Sequence, residues 1–454
     1  MQKTSTLALA VAAAVGIAGP GFAQTNDPLR DEVRQLKERT DALEKRVQDA
    51  ESAANQAAQA GNRPAGENAL NPAVSLILNG VYSSLSRSPG DFRINGFVPT
   101  LGEVEPFPRG PSLGESELAL AANIDPDFRG TGIFSITPQN EVAAEEAYIQ
   151  TLALSHGFTV KAGRFFSGVG YQNQIHAHAW DFTDAPLANK VFLGNQLADD
   201  GVQLKWVAPT DTYFDLGLEL GRGRAFPAAA PEGAARDKNG VGSANAFGHL
   251  GGDFGSGFAW QAGLSYLRTS PRDRTFQDAD SAGIAVTNAF SGRSRLWALS
   301  GVLKWAPDFN STETSVKLQG EYFRRKEDGD LTFDTAAAAA GPQTGAFASR
   351  QSGWYLQTVY QFLPMWRVGY RYDRLSAGTQ TIGLVDSGAL TPADFPVLGH
   401  YNPTRNTVMA DWSASEFSRV RLQLARDRSR QNEPDNQVFL QYIVSLGAHG
   451  AHTF

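Results

Sequence analysis

The C-terminal stretch Asn436-Gln-Val-Phe-Leu-Gln-Tyr-Ile-Val-Ser-Leu-Gly-Ala-His-Gly-Ala-His-Thr-Phe454 decides the fold class. Apolar side chains recur in it at every second residue, and the same parity reaches the terminal Phe454. A repeat of two residues places side chains on one face of a β-strand. The sequence therefore predicts a long two-faced strand at the end of the chain, which needs partner strands on both edges. The residues on this apolar face are Val438, Leu440, Tyr442, Val444 and Leu446.

The composition excludes several classes of protein. The 454 residues include no Cys, so disulfides and thiolate chemistry are ruled out. The 46 Gly, the 10% aromatic content and the slightly negative mean hydropathy disfavour a helical membrane protein and fit a barrel whose strands are half apolar. The net charge of −7 gives no reason to expect nucleic-acid binding.

Residues 1–23 have the pattern of a secretory signal peptide. Lys3 supplies the positive start, Leu7–Ala18 the apolar run, and Gly21-Phe22-Ala23 a small-x-small cleavage site. An anchored helix is the alternative, but this run is too short to cross a bilayer comfortably. We expect removal of the segment and export of the protein, with any membrane residence as a β-barrel.

Residues 24–60 are predicted to form a periplasmic coiled coil, followed by a linker at 61–73. Apolar residues alternate at spacings of three and four between strongly charged faces, which is a heptad seam. Asp27-Pro28 would begin the helix and Gly61-Asn62-Arg63-Pro64 would end it. A single amphipathic helix lying on a domain is the alternative. The seam residues are Leu29, Val33, Leu36, Thr40, Leu43, Val47, Ala50, Ala54 and Ala57.

The period changes to two from about residue 73, and residues 74–454 are predicted to form a 16-stranded antiparallel transmembrane β-barrel, an all-β fold. Short turns alternate with long loops along the whole segment, which a soluble β-sandwich has no reason to do. With the N-terminus in the periplasm, every long loop would lie outside the cell. The predicted strands are 74–84, 115–124, 130–137, 145–154, 157–165, 199–208, 211–222, 244–253, 257–268, 294–306, 315–326, 350–362, 365–375, 404–414, 417–428 and 436–454. The predicted long loops are 85–114, 138–144, 166–198, 223–243, 269–293, 327–349, 376–403 and 429–435.

Charged residues alternate with apolar ones within these strands. Arginines facing hydrocarbon would cost roughly 2–4 kcal/mol each, so the apolar faces should meet lipid and the charged faces an aqueous lumen. Rows of lumen charges would filter solutes, or alternatively form ion-pair ladders that hold the barrel shape. The expected pore-lining residues are Lys317, Glu321, Arg325, Arg367, Arg371, Asp373, Arg419 and Arg421. Trp206, Trp305, Trp354, Phe362, Trp366 and Trp412 lie near strand ends, as an interfacial aromatic girdle would.

The loop 166–198 carries the candidate binding residues His176, His178, Asp181 and Asp184. His176 and His178 are candidate ligands for Zn²⁺ or a similar ion. The alternative is a polar loop with solvated imidazoles or histidine–aspartate hydrogen bonds, and no evenly spaced third ligand is evident. Weak ion contact would suit a channel better than a closed site.

Two further motifs give little information about function. Gly447-Ala448-His449-Gly450-Ala451-His452 repeats a Gly-Ala-His unit whose role the sequence does not explain. Gly110-Pro111-Ser112-Leu113-Gly114 matches a nucleophile pattern but lies between two predicted strands, without the strand–turn–helix context that this motif needs. The sequence predicts no enzyme and no cofactor.

These features together resemble a bacterial outer-membrane porin, distantly similar to the phosphate-selective porin group, and the preceding coiled coil resembles the periplasmic extension of sugar porins. The resemblance implies that 166–198, the third external loop, folds inward as the constriction. Leu113–Leu118, Asp199–Leu204 and the Gly-Ala-His repeat also resemble uncharacterised outer-membrane proteins labelled zinc-regulated receptors. A TonB-dependent receptor would need a plug domain and about 22 strands, for which this chain has no room.

We therefore expect a homotrimeric outer-membrane porin for passive diffusion of small hydrophilic solutes or ions, embedded in outer-membrane lipid. Phe454 would be the assembly signal for the barrel assembly machinery. An outer-membrane receptor or uptake protein for a ligand or a divalent metal such as zinc is the first alternative. A structural tether reaching through the periplasm is the second.

Overall fold

A computed structural model describes residues 73–99, 104–137, 141–229 and 239–447. The predicted signal peptide 1–23, coiled coil 24–60 and residues 61–72 of the predicted linker lie outside the described residues, as do Phe454, His449 and His452. Among the residues described, no helix is both long enough and apolar enough to cross a membrane.

The described residues form eighteen strands and two short α-helices. In chain order the strands are β1 Ala73–Leu85, β2 Gly110–Leu113, β3 Ser116–Asn123, β4 Phe128–Ile136, β5 Val142–Thr151, β6 Phe158–Phe166, β7 Ala198–Val207, β8 Tyr213–Gly221, β9 Ser243–Phe254, β10 Phe258–Thr269, β11 Arg274–Ala279, β12 Ala285–Trp305, β13 Ser315–Phe333, β14 Gln343–Leu363, β15 Trp366–Ile382, β16 Thr404–Ser415, β17 Ser418–Arg428 and β18 Asp435–Gly447. The helices are α1 Leu187–Leu193 and α2 Gly383–Asp386.

Sixteen of these strands close into an antiparallel barrel, as predicted. The last strand β18 pairs with the first, from Ser75↔Gly447 to Leu85↔Gln437. The two remaining strands, β2 and β11, are short additions that the sequence did not predict. β3 and β10 stop below the top of their neighbours, and β2 and β11 take over the free edges of β1 and β12 there.

Short and long connections alternate around the barrel as predicted. Seven turns at one end join strand pairs such as β14 and β15, where Leu363 pairs with Trp366. The long loops all lie at the opposite end. We call these the short-turn end and the loop end.

The wall is taller at β12–β15 than predicted, so the loop assignments 269–293, 327–349 and 376–403 were partly wrong. These strands run for 21, 19, 21 and 17 residues. On β13 the outward residues change from Leu318 and Tyr322 to Arg324, Lys326 and Asp330. Because the outer face of this section is not apolar, the expected alternation is lost although the hydrogen-bonded pairing continues. The inward residues of this section include the apolar Phe323, Leu331 and Phe333 as well as the ion-paired Arg325 and Glu327.

The outer surface between the two ends is apolar and the inner surface polar. On β8, Leu218 is 59% exposed while Asp215 is 0% exposed and faces inward. Aromatic side chains lie on the outer surface near the short-turn end, where the ring of Trp366 stacks on that of Trp412 with centroids 6.2 Å apart. The prediction that apolar faces turn outward and charged faces inward is confirmed.

The interior at the loop end differs from the aqueous lumen that we expected. Loops fold into it and build two apolar clusters against the wall. One cluster contains Phe97, Phe192 and Phe323, and the other contains Phe290, Phe333 and Phe395. The barrel therefore has a packed core of its own where a simple pore would hold water.

Candidate functional site

The connection Ser167–Leu197 between β6 and β7 runs inside the barrel, and we call it the inward loop. It contains two single 3₁₀ turns, at Gln172–Gln174 and Ala177–Ala179, and the helix α1. Most of its side chains are buried, including every residue of α1. Such burial requires that the wall satisfy the polar groups of the loop.

Carboxylates of the wall accept the backbone N–H groups at the start of the inward loop. Glu219 accepts the N–H of Gly168 at 2.8 Å. Glu321 accepts the N–H groups of Tyr171 at 2.6 Å and Gln172 at 3.3 Å. These bonds fasten the start of the loop to β8 and β13.

The helix α1 is seated on an apolar patch of the wall. Phe192 is 0% exposed, and its ring lies 5.9 Å from that of Phe323 on β13. Asp373 on β15 accepts the N–H of Leu187 at 2.9 Å, at the first residue of the helix. Burial of large apolar side chains at both ends holds α1 in place.

Asp181 of the inward loop binds cations of the wall. Its carboxylate lies 3.0 Å from Lys317 Nζ and 3.3 Å from Arg367 Nη1, and Gln357 donates to it at 3.3 Å. Arg367 also pairs with Asp411 at 2.6 Å. Burial would raise the pKa of Asp181, but Lys317 and Arg367 hold it far below its usual range.

Asp184 is the centre of a second ionic cluster. Arg371 Nη2 lies 3.1 Å from its carboxylate, Arg405 forms a very close ion pair with it, and Lys190 Nζ lies at 3.6 Å. Gln423 donates a hydrogen bond at 3.0 Å. Burial would raise the pKa of Asp184, but the three cations lower it far below its usual range. The two aspartates that could have been metal ligands thus bind lysine and arginine.

The expected pore-lining residues all face the barrel interior, but the inward loop covers most of them. Glu321, Arg325, Arg371, Asp373 and Arg421 are at most 3% exposed. Only the side chains near the short-turn end keep contact with solvent: Lys317 and Arg367 at 24%, and Arg419 partly. Sequence reasoning missed Arg405 and Asp411, although they alternate inward on β16 in the same way.

The two histidines lie among carboxylates of β3 and β5. His176 Nδ1 lies 3.3 Å from Glu117 Oε2 and 3.2 Å from Glu145 Oε2, and His176 Nε2 lies 3.1 Å from Glu146 Oε2. His178 Nδ1 lies 2.8 Å from Glu117 Oε1. Burial would lower the pKa of His176, but its hydrogen bonds to the three carboxylates raise it well above its ordinary value.

A β-bulge explains why the sequence did not reveal this cluster. Strict alternation on β5 sends Glu145 and Glu146 to opposite faces of the sheet. The pairing with β4 shifts by one residue, from Ile133↔Glu146 to Phe134↔Ala144. The extra residue Glu145 is thereby turned toward the lumen, which is a recognised use of bulges near binding sites.

An open cavity lies beside the inward loop. Asn79 and Phe439 line it from the wall side, and Trp180, Asp184 and Lys190 line it from the loop. The cavity therefore separates the inward loop from the seam where the barrel closes between β1 and β18.

Comparisons with known proteins leave the function open. No family model matches the chain. An uncharacterized protein of Aquifex aeolicus is 29% identical over 413 residues, which cover 86% of this chain and 81% of that protein.

Several solved structures of low sequence identity match most of the chain. In-vitro folded OmpT, an outer membrane protein of Vibrio cholerae, matches with a TM-score of 0.49 at 10% identity over 84% of this chain and 99% of that one. The outer membrane channel DcaP of Acinetobacter baumannii has a TM-score of 0.47 at 11% identity, over 83% and 97%. An anion-selective porin from Comamonas acidovorans has a TM-score of 0.47 at 10% identity, over 83% and 99%. Similarities of this size establish neither fold nor function. The closed barrel is shown by the strand pairing of this chain. The resemblances to phosphate-selective porins and zinc-regulated receptors stay predictions.

Proposed function

We propose that the protein is an outer-membrane porin that lets small hydrophilic solutes or ions diffuse passively, with the inward loop as its constriction. The observation that carries this proposal is the position of the loop: it crosses the interior of a closed barrel and leaves an open cavity beside it. A lumen that is narrowed by a fixed loop sorts solutes by size and charge.

The outer membrane is the location that fits the two surfaces of the barrel. The outer face is apolar between the two ends, and the charged side chains face inward. A β-barrel satisfies all backbone hydrogen bonds between its strands and so tolerates hydrocarbon around it. The predicted signal peptide supplies the export step, and the predicted coiled coil supports a homotrimer with its helices in the periplasm.

The charges near the short-turn end favour anions. Lys317 follows one short turn, and Arg367 and Arg419 follow two others. All three face the interior and keep some exposure. Because Asp181 and Asp411 compensate only part of this positive charge, we propose that the barrel interior near the short-turn end attracts small anions.

Planar-bilayer recording tests the channel. Purified full-length protein should give stepwise conductance in groups of three. A silent bilayer under conditions in which folding is verified would contradict the porin and favour a receptor or a tether.

Reversal potentials in a salt gradient test the charge preference. Wild-type protein should favour anions, and Arg367→Gln should lower the anion-to-cation permeability ratio several-fold. Arg324→Gln is the matched control, because Arg324 lies on the outer face of β13. An equal effect of both substitutions would remove Arg367 from the proposed filter.

A further inference from the structure

We propose that Glu117, Glu145 and His176 form a binding site for a divalent first-row transition-metal ion, which joins the inward loop to the barrel wall. The ligand atoms are Glu117 Oε2, Glu145 Oε2 and His176 Nδ1. The site goes beyond the proposed porin function and does not depend on what the channel conducts.

The separation of the three ligand atoms fits a tetrahedral ion. With metal–ligand bonds of about 2.0–2.1 Å, two ligands of a tetrahedral site lie about 3.3 Å apart. His176 Nδ1 lies 3.3 Å from Glu117 Oε2 and 3.2 Å from Glu145 Oε2. The three ligand atoms all lie within 4.8 Å of one another, so a small adjustment of one carboxylate completes the set.

Glu146 supplies the outer support that a metal-binding imidazole needs. A histidine ligand usually donates its second ring N–H to a carboxylate, which fixes the tautomer and the ring orientation. His176 Nε2 lies 3.1 Å from Glu146 Oε2, on the side of the ring away from Glu117 and Glu145. The ring of Phe166 packs edge-on against the imidazole with centroids 5.0 Å apart. The imidazole is therefore held with Nδ1 toward the two other ligands.

His178 holds the first carboxylate in a similar way. Its Nδ1 lies 2.8 Å from Glu117 Oε1, the oxygen that the proposed ion does not use. The rings of His176 and His178 are stacked at 5.8 Å. Both histidines come from the inward loop, whereas the carboxylates come from β3 and β5, so the ion would bridge the loop and the wall.

The charge at the site favours a cation. Three carboxylates converge on one imidazole ring, and Lys161 on β6 acts electrostatically on Glu146. Asp181 and Asp184 of the same loop have lysine and arginine partners instead. Mixed imidazole and carboxylate ligands suit Zn²⁺, Mn²⁺ and related ions better than Ca²⁺, which prefers oxygen alone.

The site is shielded but remains open to a small ion. The side chains of His176, Glu145 and Glu146 are 16%, 11% and 10% exposed, and Glu117 is 2% exposed. An ion would reach the site from the lumen side of Glu145 and His176. This exposure is sufficient for exchange with the surrounding solution without unfolding of the loop.

Equilibrium dialysis of the full-length protein against Zn²⁺ and Mn²⁺ tests the site, after treatment with EDTA and with metal measured by mass spectrometry. We expect one ion per chain, and Glu145→Gln should weaken binding at least about tenfold, because changing even a residue that only supports a metal ligand costs about 10–100-fold. X-ray absorption of the zinc form should show an N/O shell that includes imidazole. Heat-modifiable gel mobility shows whether each variant has folded, and Glu117→Gln gives a second test if Glu145→Gln fails to fold.

Two control variants separate this site from other histidines. His249 on β9 pairs with the single carboxylate of Asp215 at 2.8 Å, so His249→Gln should bind metal as the wild type does. A His449→Gln/His452→Gln variant removes the C-terminal repeat and should also bind normally. The proposal is overturned if the wild type binds no ion, if Glu145→Gln and Glu117→Gln bind as it does, or if binding is lost only with the C-terminal repeat. Conductance of the wild type in EDTA tests the porin separately, because it requires no metal.

Discussion

Two segments of the inward loop meet the barrel wall with opposite charges, and we call residues 172–180 the first half and residues 181–193 the second half. The first half presents imidazoles, His176 and His178, to carboxylates of β3 and β5. The second half presents carboxylates, Asp181 and Asp184, to lysine and arginine. The second contact is balanced by permanent charges, whereas the first has more acid than base. We infer that the second half is a fixed anchor and that the first half is the part whose fastening depends on solution conditions.

The strongest test of this difference is Asp184→Asn, which leaves Arg371, Arg405 and Lys190 without their shared carboxylate. Loss of one partner from a buried ionic cluster costs about 3–5 kcal/mol. We expect that loss in the free energy of unfolding in detergent, together with faster proteolysis of the inward loop. Asp330→Asn, at an exposed position on the outer face of β13, is the control and should unfold as the wild type does.

A smaller effect should follow from Gly170→Ala, which disturbs the loop before either half begins. Gly170 has φ of +71°, and an added Cβ would collide with the Glu321 carboxylate that accepts the N–H groups of Tyr171 and Gln172. Left-handed strain in a residue other than glycine costs about 1–3 kcal/mol. Thermal unfolding in detergent measures the loss. A variant as stable as the wild type would show that the hydrogen bonds to Glu321 contribute little to stability.

The first half should contribute less to stability, which His176→Gln in metal-free protein tests. The substitution removes hydrogen bonds to carboxylates but also removes the cost of burying an imidazole. We therefore expect the free energy of unfolding to fall by about 1–2 kcal/mol. Hydrogen exchange should increase over residues 172–180 and stay unchanged in α1. If α1 opened equally, the two halves would form one cooperative unit and the comparison would fail.

A third kind of buried carboxylate has neither an imidazole nor an ion-paired cation beside it among the described residues. We expect the smallest effect from changing it. Asp278 on β11, at the loop end, accepts N–H groups of Ala279 at 2.9 Å and Val397 at 3.4 Å. Burial raises its pKa to about 7 despite these bonds and the charge of Arg93. Because the folded state holds the proton more tightly than the unfolded chain, its contribution to stability is largest at low pH and falls as pH rises through 7.

We therefore expect hydrogen exchange in residues 274–290 to speed up between pH 6 and pH 8, beyond the intrinsic change. The Asp278→Asn variant should lose this excess, because its amide does not titrate. An excess that persists in the variant would place the titrating group elsewhere.

Much of the fold could be predicted because it depends on local rules. Val438, Leu440 and Tyr442 are outward and exposed on β18, as their period of two indicates. The alternation of short and long connections gave the closed even-stranded barrel. The upper sections of β12–β15 escaped prediction because the outer face there is not apolar, as Asp330 shows on β13.

The candidate site was predictable only in part. Local sequence patterns were enough to predict which residues of the regular strands face inward, and that the loop 166–198 carries two histidines and two aspartates. The partners of these residues depend on the tertiary fold, because Asp181 and Lys317 are 136 residues apart and Asp184 and Arg405 are 221 apart. The bulge that turns Glu145 inward depends on the register between β4 and β5, which no local pattern encodes. Closing the barrel fixes these registers together, and so it alone determines which charge meets which.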